Sequence, residues 1–267
     1  MHRCRLKEDQ IGRCRARRNV SGKSVSLSYG QLTSLALDPI EKKPLAYFHP
    51  GSKVLSVGTF GCNLDCPFCQ NASIAAAFIK DVQTEAMTPE ELTELAQELI
   101  PQGNIGVAFT YNEPMVGYEF VRDTAKLVHA RGMKNVVVTN GSACREILAE
   151  VLPFIDAFNI DLKGFSEDYY KSLGGDLQTV LDFICVAAPR SHVELTTLIV
   201  PGENDSPEEM HDLSAWVAGV DPAIPLHITR FFPRRRMRDK EPTDVLLMRK
   251  LADIAREKLQ TVLLGNV

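Results

Sequence analysis

From Lys53 to its end the chain alternates short apolar runs of strand type with longer stretches patterned as helices, and no other feature restricts its fold as much. The strand-like runs are 53–59, 106–110, 135–139, 157–161, 193–199 and 225–228. Helical patterns fall at 88–99, 118–129, 145–152, 167–173 with 179–188, 207–217 and 245–259. The start at Thr88-Pro89-Glu90-Glu91 carries its own signature: threonine caps, proline suits the first turn and Glu91 closes a capping box. Repeated strand–helix units imply right-handed β/α crossovers and a parallel α/β sheet, open or closed into a barrel. Upstream, 24–29 and 31–37 alternate like two strands around Gly30, and 38–50, with three prolines, reads as a connecting loop.

Directly after the first run comes Gly61-Cys62-Asn63-Leu64-Asp65-Cys66-Pro67-Phe68-Cys69-Gln70-Asn71. The cysteines therefore sit past the C-terminal end of a strand, where parallel α/β folds place their chemistry. Thiols spaced this tightly on one loop can converge on one small inorganic object, and thiolates select zinc, copper(I) or iron-sulfur clusters. A closed zinc site or a complete 4Fe-4S cluster takes four protein ligands, and no fourth cysteine or histidine follows at the usual spacing. One coordination position is left open. The bland alternatives are a zinc knuckle that borrows a distant ligand, or free buried cysteines.

Strands that run in parallel bring everything just after them to one rim, and these segments are polar: Tyr111-Asn112-Glu113-Pro114, Thr139-Asn140-Gly141, Asp161-Leu162-Lys163-Gly164 and Val200 to Asp205. Each has an ordinary reading as a turn or an ion pair. Four of them on the rim that carries the cysteines favour a binding site.

The Cys-x-x-x-Cys-x-x-Cys spacing, with Phe68 before the last cysteine, resembles the signature of the radical S-adenosylmethionine superfamily. The resemblance implies a partial (β/α)6-type TIM barrel over residues 51–267, with an N-terminal arm and β-hairpin, residues 1–50, packed on it. It implies a 4Fe-4S cluster on Cys62, Cys66 and Cys69 whose open iron chelates S-adenosyl-L-methionine. Reductive cleavage of that molecule then yields a 5'-deoxyadenosyl radical that takes hydrogen from a substrate. Glu113 matches the acid of the superfamily's Gly-Gly-Glu motif, which faces the methionyl ammonium, although the paired glycines are replaced by Tyr111-Asn112. Thr139, Asn140, Asp161 and Lys163 are similar to the ribose- and carboxylate-facing segments of pyruvate formate-lyase (glycyl radical enzyme) activating enzymes, and Phe68, Tyr111 and Asn112 join them as cofactor-binding residues. Val138 departs from those activating enzymes, which often show aspartate there. Across nearly the whole chain, including Leu35 to Leu45, His227 to Pro233 and Leu264 to Val267, the sequence also resembles the radical enzyme of the AmmeMemoRadiSam system. Both resemblances imply an oxidoreductase with a one-electron donor such as flavodoxin or ferredoxin. They leave open a protein substrate, a small molecule, or a modification other than glycyl radical formation. A protein of another class, a zinc or iron-sulfur interaction module without turnover, is the competing expectation.

With 267 residues, 45% hydrophobic and 24% charged, the chain has enough apolar material for one globular domain. A net charge of -4 gives no reason to expect nucleic acid or an anionic membrane as partner. Without an h-region or a long apolar run, the expected location is the cytoplasm. Seven cysteines, only three of them clustered, do not resemble a secreted disulfide framework. Cys4 and Cys14, with His2, form half of a conceivable second metal site or are plain thiols in an arm. Arg234-Arg235-Arg236-Met237-Arg238 reads as a solvated loop in preference to an anion-holding one. Cys144 and Cys185 are expected to be core thiols, and Trp216 a structural aromatic.

Overall fold

The computed structural model describes residues 4–267. Every expected run from 53 onward forms its element. In chain order these are β1 Arg17–Val20, β2 Lys23–Ser26, β3 Gln31–Leu32, β4 Ser34–Pro39, β5 Lys53–Gly58, the single turn α1 Ala72–Ala75 and β6 Glu85–Ala86. There follow α2 Pro89–Glu98, β7 Asn104–Phe109, α3 Tyr118–Ala130, β8 Lys134–Thr139, α4 Arg145–Val151 and β9 Ala157–Asp161. The chain ends with α5 Glu167–Ser172, α6 Leu177–Ala187, β10 His192–Ile199, α7 Pro207–Val220, β11 Leu226–Arg230, α8 Val245–Arg256 and β12 Val262–Gly265. Helix α2 starts as its sequence requires: Glu91 N–H donates to Thr88 Oγ1 at 3.2 Å, and Thr88 N–H donates to Glu91 Oε2 at 2.8 Å.

The main sheet has eight strands in the order β12-β11-β10-β9-β8-β7-β5-β4. All neighbours pair in parallel except β4, which runs antiparallel to β5 with Ser34 opposite Gly58 and Pro39 opposite Lys53. The two ends of this sheet do not pair with each other, so the architecture is a partial barrel of the TIM type. Alternation along each strand divides the apolar residues between two faces. Leu55, Val57, Val107, Phe109, Val137, Phe158 and Ile160 join a core with helix residues such as Leu92, Phe120, Leu148 and Ile184. The smaller side chains Val54, Ala108, Val136 and Ala157 pack instead with Ile40 and Leu45.

The N-terminal segment departs from its expected layout. The hairpin joins β1 to β2 around Ser21-Gly22, with Arg17 opposite Ser26. Gly30 does not centre a hairpin, because β3 pairs with β6 and β4 becomes the sheet edge. Residues 40–48 are more than a connector, since they close the N-terminal end of the barrel. Ile40 and Leu45 are fully buried there. Glu194, itself fully buried, accepts from Ala46 N–H at 3.0 Å, Tyr47 N–H at 2.8 Å and pairs with Nε2 of both His192 (2.9 Å) and His227 (2.6 Å). Those four partners hold its carboxyl at about 2 against the desolvation that pushes it up. Three prolines suggested a loop because hydrogen bonds to a strand residue some 150 positions away leave no local pattern.

Candidate functional site

At the opposite end, β5 delivers the chain to Gly61, whose φ of 89° lies in the left-handed region. An added Cβ there would stand 2.5 Å from the Cys14 carbonyl oxygen, so glycine is required for the arm to lie this close. Cys62 N–H donates to that same carbonyl at 3.2 Å, fixing the first thiol's backbone to the arm. Asn112 also secures this entry. Its Oδ1 accepts from Thr59 N–H at 3.0 Å, and its Nδ2 donates to the Gly61 carbonyl at 3.0 Å and to Thr59 Oγ1 at 3.1 Å. Further along, Asp65 N–H donates to the Leu173 carbonyl at the end of α5, at 2.9 Å.

The three thiols share one environment. Cys62 is raised by burial, with Glu113, Cys66 and Cys69 adding their negative potential. Cys66 is pushed up to about 11, again chiefly by burial, against the pull of Lys163. Among the described residues no three His, Cys, Asp or Glu side chains stand close enough together to hold one metal ion.

Beside the thiols, Glu113, Thr139 and Asn140 form one hydrogen-bonded unit. Glu113, only 2% exposed, accepts from Thr139 Oγ1 and Asn140 N–H, each at 2.7 Å, and from Met115 N–H at 3.0 Å. Burial nevertheless drives its carboxyl up to about 7, and Asp161 adds to the rise. The Asn140 amide reaches Cys62 Sγ at 3.6 Å and Asn63 Oδ1 at 2.9 Å. Just past β9, Lys163 Nζ lies 2.6 Å from Asp161 Oδ2. Burial alone would lower this lysine, but Asp161 and Cys66 outweigh it and raise it above its ordinary value.

Phe68 is buried with Tyr169, Leu173, Val200 and Phe231, against Cys66 and Met237, and forms an apolar wall at the loop. Two hydroxyls near the thiols, Ser142 Oγ after Asn140 and the phenol of Tyr169, are buried with no hydrogen-bond partner. Such atoms are rare in a finished interior and fit a place that receives another group.

The structure therefore gathers Cys62, Cys66, Cys69, Glu113, Thr139, Asn140, Asp161 and Lys163, with Phe68 behind them. It does not add the polar atoms of Tyr111 and Asn112 to that set. Tyr111 turns its hydroxyl to Asp38 Oδ2 at 2.8 Å, with its ring under the Lys43 ammonium at 4.7 Å, and Asn112 serves the backbone as described. Asn63, Ser142 and Tyr169 were not foreseen, and only their nearness to the cysteine and Thr-Asn-Gly segments marked the first two. The arginine run is solvated at Arg234, Arg236 and Arg238 as expected, but it also grips the cysteine loop. Arg235 donates to Asp65 Oδ1 at 2.6 Å and to the Cys66 carbonyl at 2.7 Å, and Arg236 to Asp65 Oδ2 at 2.9 Å. Cys185 is exposed and Cys144 half-buried, so neither is a core thiol. Cys4 and Cys14 line a cavity of about 600 Å³ between the arm and the start of α3. His2, the third ligand envisaged there, lies outside the described residues.

Comparison with known proteins decides the family. Residues 56–214 match the Radical SAM superfamily. This chain belongs to the radical SAM superfamily. An uncharacterized protein of Methanocaldococcus jannaschii is 38% identical over 99% of this chain and 79% of its own length. The pyruvate formate-lyase 1-activating enzyme of Escherichia coli K12 is 26% identical over 57% of this chain and 63% of its own. Streptococcus suis SuiB, solved bound to S-adenosylmethionine, superposes with a TM-score of 0.60 at 13% identity, over 77% of this chain and 48% of that one, and shares the fold. The chain thus spans less than two thirds of the latter two proteins. Radical SAM proteins use a 4Fe-4S cluster and S-adenosyl-L-methionine, and the three thiols, the buried acid and the buried lysine fit that pair in charge and donor type.

Proposed function

We propose that Cys62, Cys66 and Cys69 carry the cluster and that this chain is a radical SAM oxidoreductase acting on a protein substrate, as activating enzymes do. The observation that carries the reading is the trio of thiols in mutual electrostatic reach, beside the buried Glu113 carboxyl and the buried Lys163 ammonium that Asp161 pairs. When bound, the cluster and S-adenosyl-L-methionine supply one-electron cleavage and hydrogen abstraction.

The chain's own groups bind and orient. Glu113, held by three donors, offers its remaining lone pair to an ammonium, and a cation there offsets the desolvation that raises it. Lys163 presents a buried positive charge suited to a carboxylate, with Asp161 aiming it. Asn140 ties the acid to the first thiol and so holds Glu113 in register with the cysteine loop. Phe68 and its neighbours exclude water from the side of Cys66. A flavodoxin or ferredoxin as electron donor and the cytoplasm as location complete the proposed setting. No described helix is long and apolar enough to cross a membrane.

The test is anaerobic reconstitution with iron and sulfide, followed by reductant and S-adenosyl-L-methionine. Release of 5'-deoxyadenosine is expected, whereas an intact cluster that releases none under reduction contradicts the reading. A colourless zinc protein would favour the interaction module.

A further inference from the structure

The arginine run is a sequence motif that the proposed chemistry does not use, and its contacts are concentrated on the cysteine loop. Arg235 forks between Asp65 Oδ1 (2.6 Å) and the Cys66 carbonyl (2.7 Å). Arg236 forks between Asp65 Oδ2 (2.9 Å) and the Asp65 carbonyl (2.6 Å), and its backbone N–H donates to the Pro67 carbonyl at 2.9 Å. Five hydrogen bonds thus join the segment after β11 to three consecutive residues lying between the first and last cysteine. Arg235 has a φ of 48°, in the left-handed region that side chains rarely adopt. Its side chain is only 17% exposed, so solvent screens its charge weakly.

We propose that Arg235, Arg236 and Asp65 form a charged fork that sets the reduction potential of the cluster held by this loop. The proposal rests on the assignment of the cluster to Cys62, Cys66 and Cys69. These are positioning residues: none is a ligand, and Arg235 acts through the Cys66 peptide. Reduction adds one electron to a cluster already ligated by three thiolates. A fixed positive charge beside Cys66 favours the reduced form and raises the potential, and a fixed negative charge lowers it. The fork carries two positive charges and one negative, so its net effect is to ease reduction. Asp65 holds both guanidinium groups at the loop, and the same carboxylate limits how far they raise the potential.

This arrangement separates an electrostatic role from a mechanical one. Arg235→Gln and Asp65→Asn break the same contact from opposite sides. A brace alone predicts the same response from both, whereas the fork predicts opposite shifts. After anaerobic reconstitution, midpoint potentials are measured by redox titration followed by electron paramagnetic resonance, with iron and sulfide content determined in each sample. Arg235→Gln and the milder Arg236→Gln are expected to titrate at more negative potential than the wild type, Asp65→Asn at more positive potential, and Arg235→Lys, which keeps the charge, near the wild type. Shifts of one sign in all variants, unchanged potentials, or loss of the cluster from every variant would overturn the fork as a tuner. A wild-type protein that assembles no cluster would instead overturn the cluster assignment beneath it.

Discussion

The two ends of the barrel both bury charge, and they treat it in opposite ways. At the N-terminal end Glu194 has four polar partners and is held at about 2, far below an ordinary glutamate. At the rim Glu113 also has hydrogen bonds, three of them, yet it stands at about 7, and Cys66 at about 11. Hydrogen bonds are available at both ends, so they do not make the difference. Two imidazoles lie against Glu194, while the charged group that acts on Glu113 is Asp161, of like sign. The closed end is complete as the chain folds, and the rim leaves negative groups short of positive charge. In the proposed reading, iron and a sulfonium-bearing amino acid would bring that charge.

The largest effect that tests the contrast is removal of a rim thiol. Cys66→Ala should lose the reconstituted cluster, measured as iron and sulfide per chain, and leave thermal unfolding of the metal-free protein nearly unchanged. Next, Glu194→Ala strands two histidines and two backbone N–H groups in the interior and should cost about 3–5 kcal/mol in denaturant unfolding. No cofactor is needed to see this loss.

The pH dependence of metal-free stability then distinguishes the ends by sign. Glu194 has a folded value below its unfolded one, so its contribution of about 3 kcal/mol is present above pH 4.5 and is lost as pH falls toward 2. Glu113 has a folded value above its unfolded one, so it costs about 3 kcal/mol once pH has risen from 4.5 through 7. Glu113→Gln should therefore stabilise the metal-free protein at pH 8, have little effect at pH 4, and weaken S-adenosyl-L-methionine binding to the reconstituted form. Smallest is Asn112→Ala, which frees Thr59 and Gly61 and should lower stability by about 1–2 kcal/mol while lowering cluster content. Unaltered cluster content in that variant would show that the loop entry needs no such strap.

The same contrast explains what could be read from the sequence. Six of the eight strands from Lys53 onward and the start of α2 are encoded by neighbours a few residues apart, through apolar period and caps, and these match the structure closely, whereas β6 and β12 were not expected. The rim was legible because a parallel sheet sends every strand's sequel to one place, which is how Glu113, Thr139 and Asn140 could be named together. What escaped was set by contacts across long stretches of chain. The plug at 40–48 answers to Glu194, β4 pairs across a proline-rich connection, and Arg235 finds Asp65 170 residues away. Tyr111 was drawn from the rim by Asp38, a residue that no local pattern links to it.

The proposed rim site holds a cluster with one iron open to S-adenosyl-L-methionine. Electron paramagnetic resonance of the reduced, reconstituted protein tests it most directly, recorded before and after that molecule is added. A 4Fe-4S signal is expected in the wild type, with g-values that change on addition, and none in Cys66→Ala. A signal that S-adenosyl-L-methionine leaves unchanged, or one that survives the loss of Cys66, would contradict it.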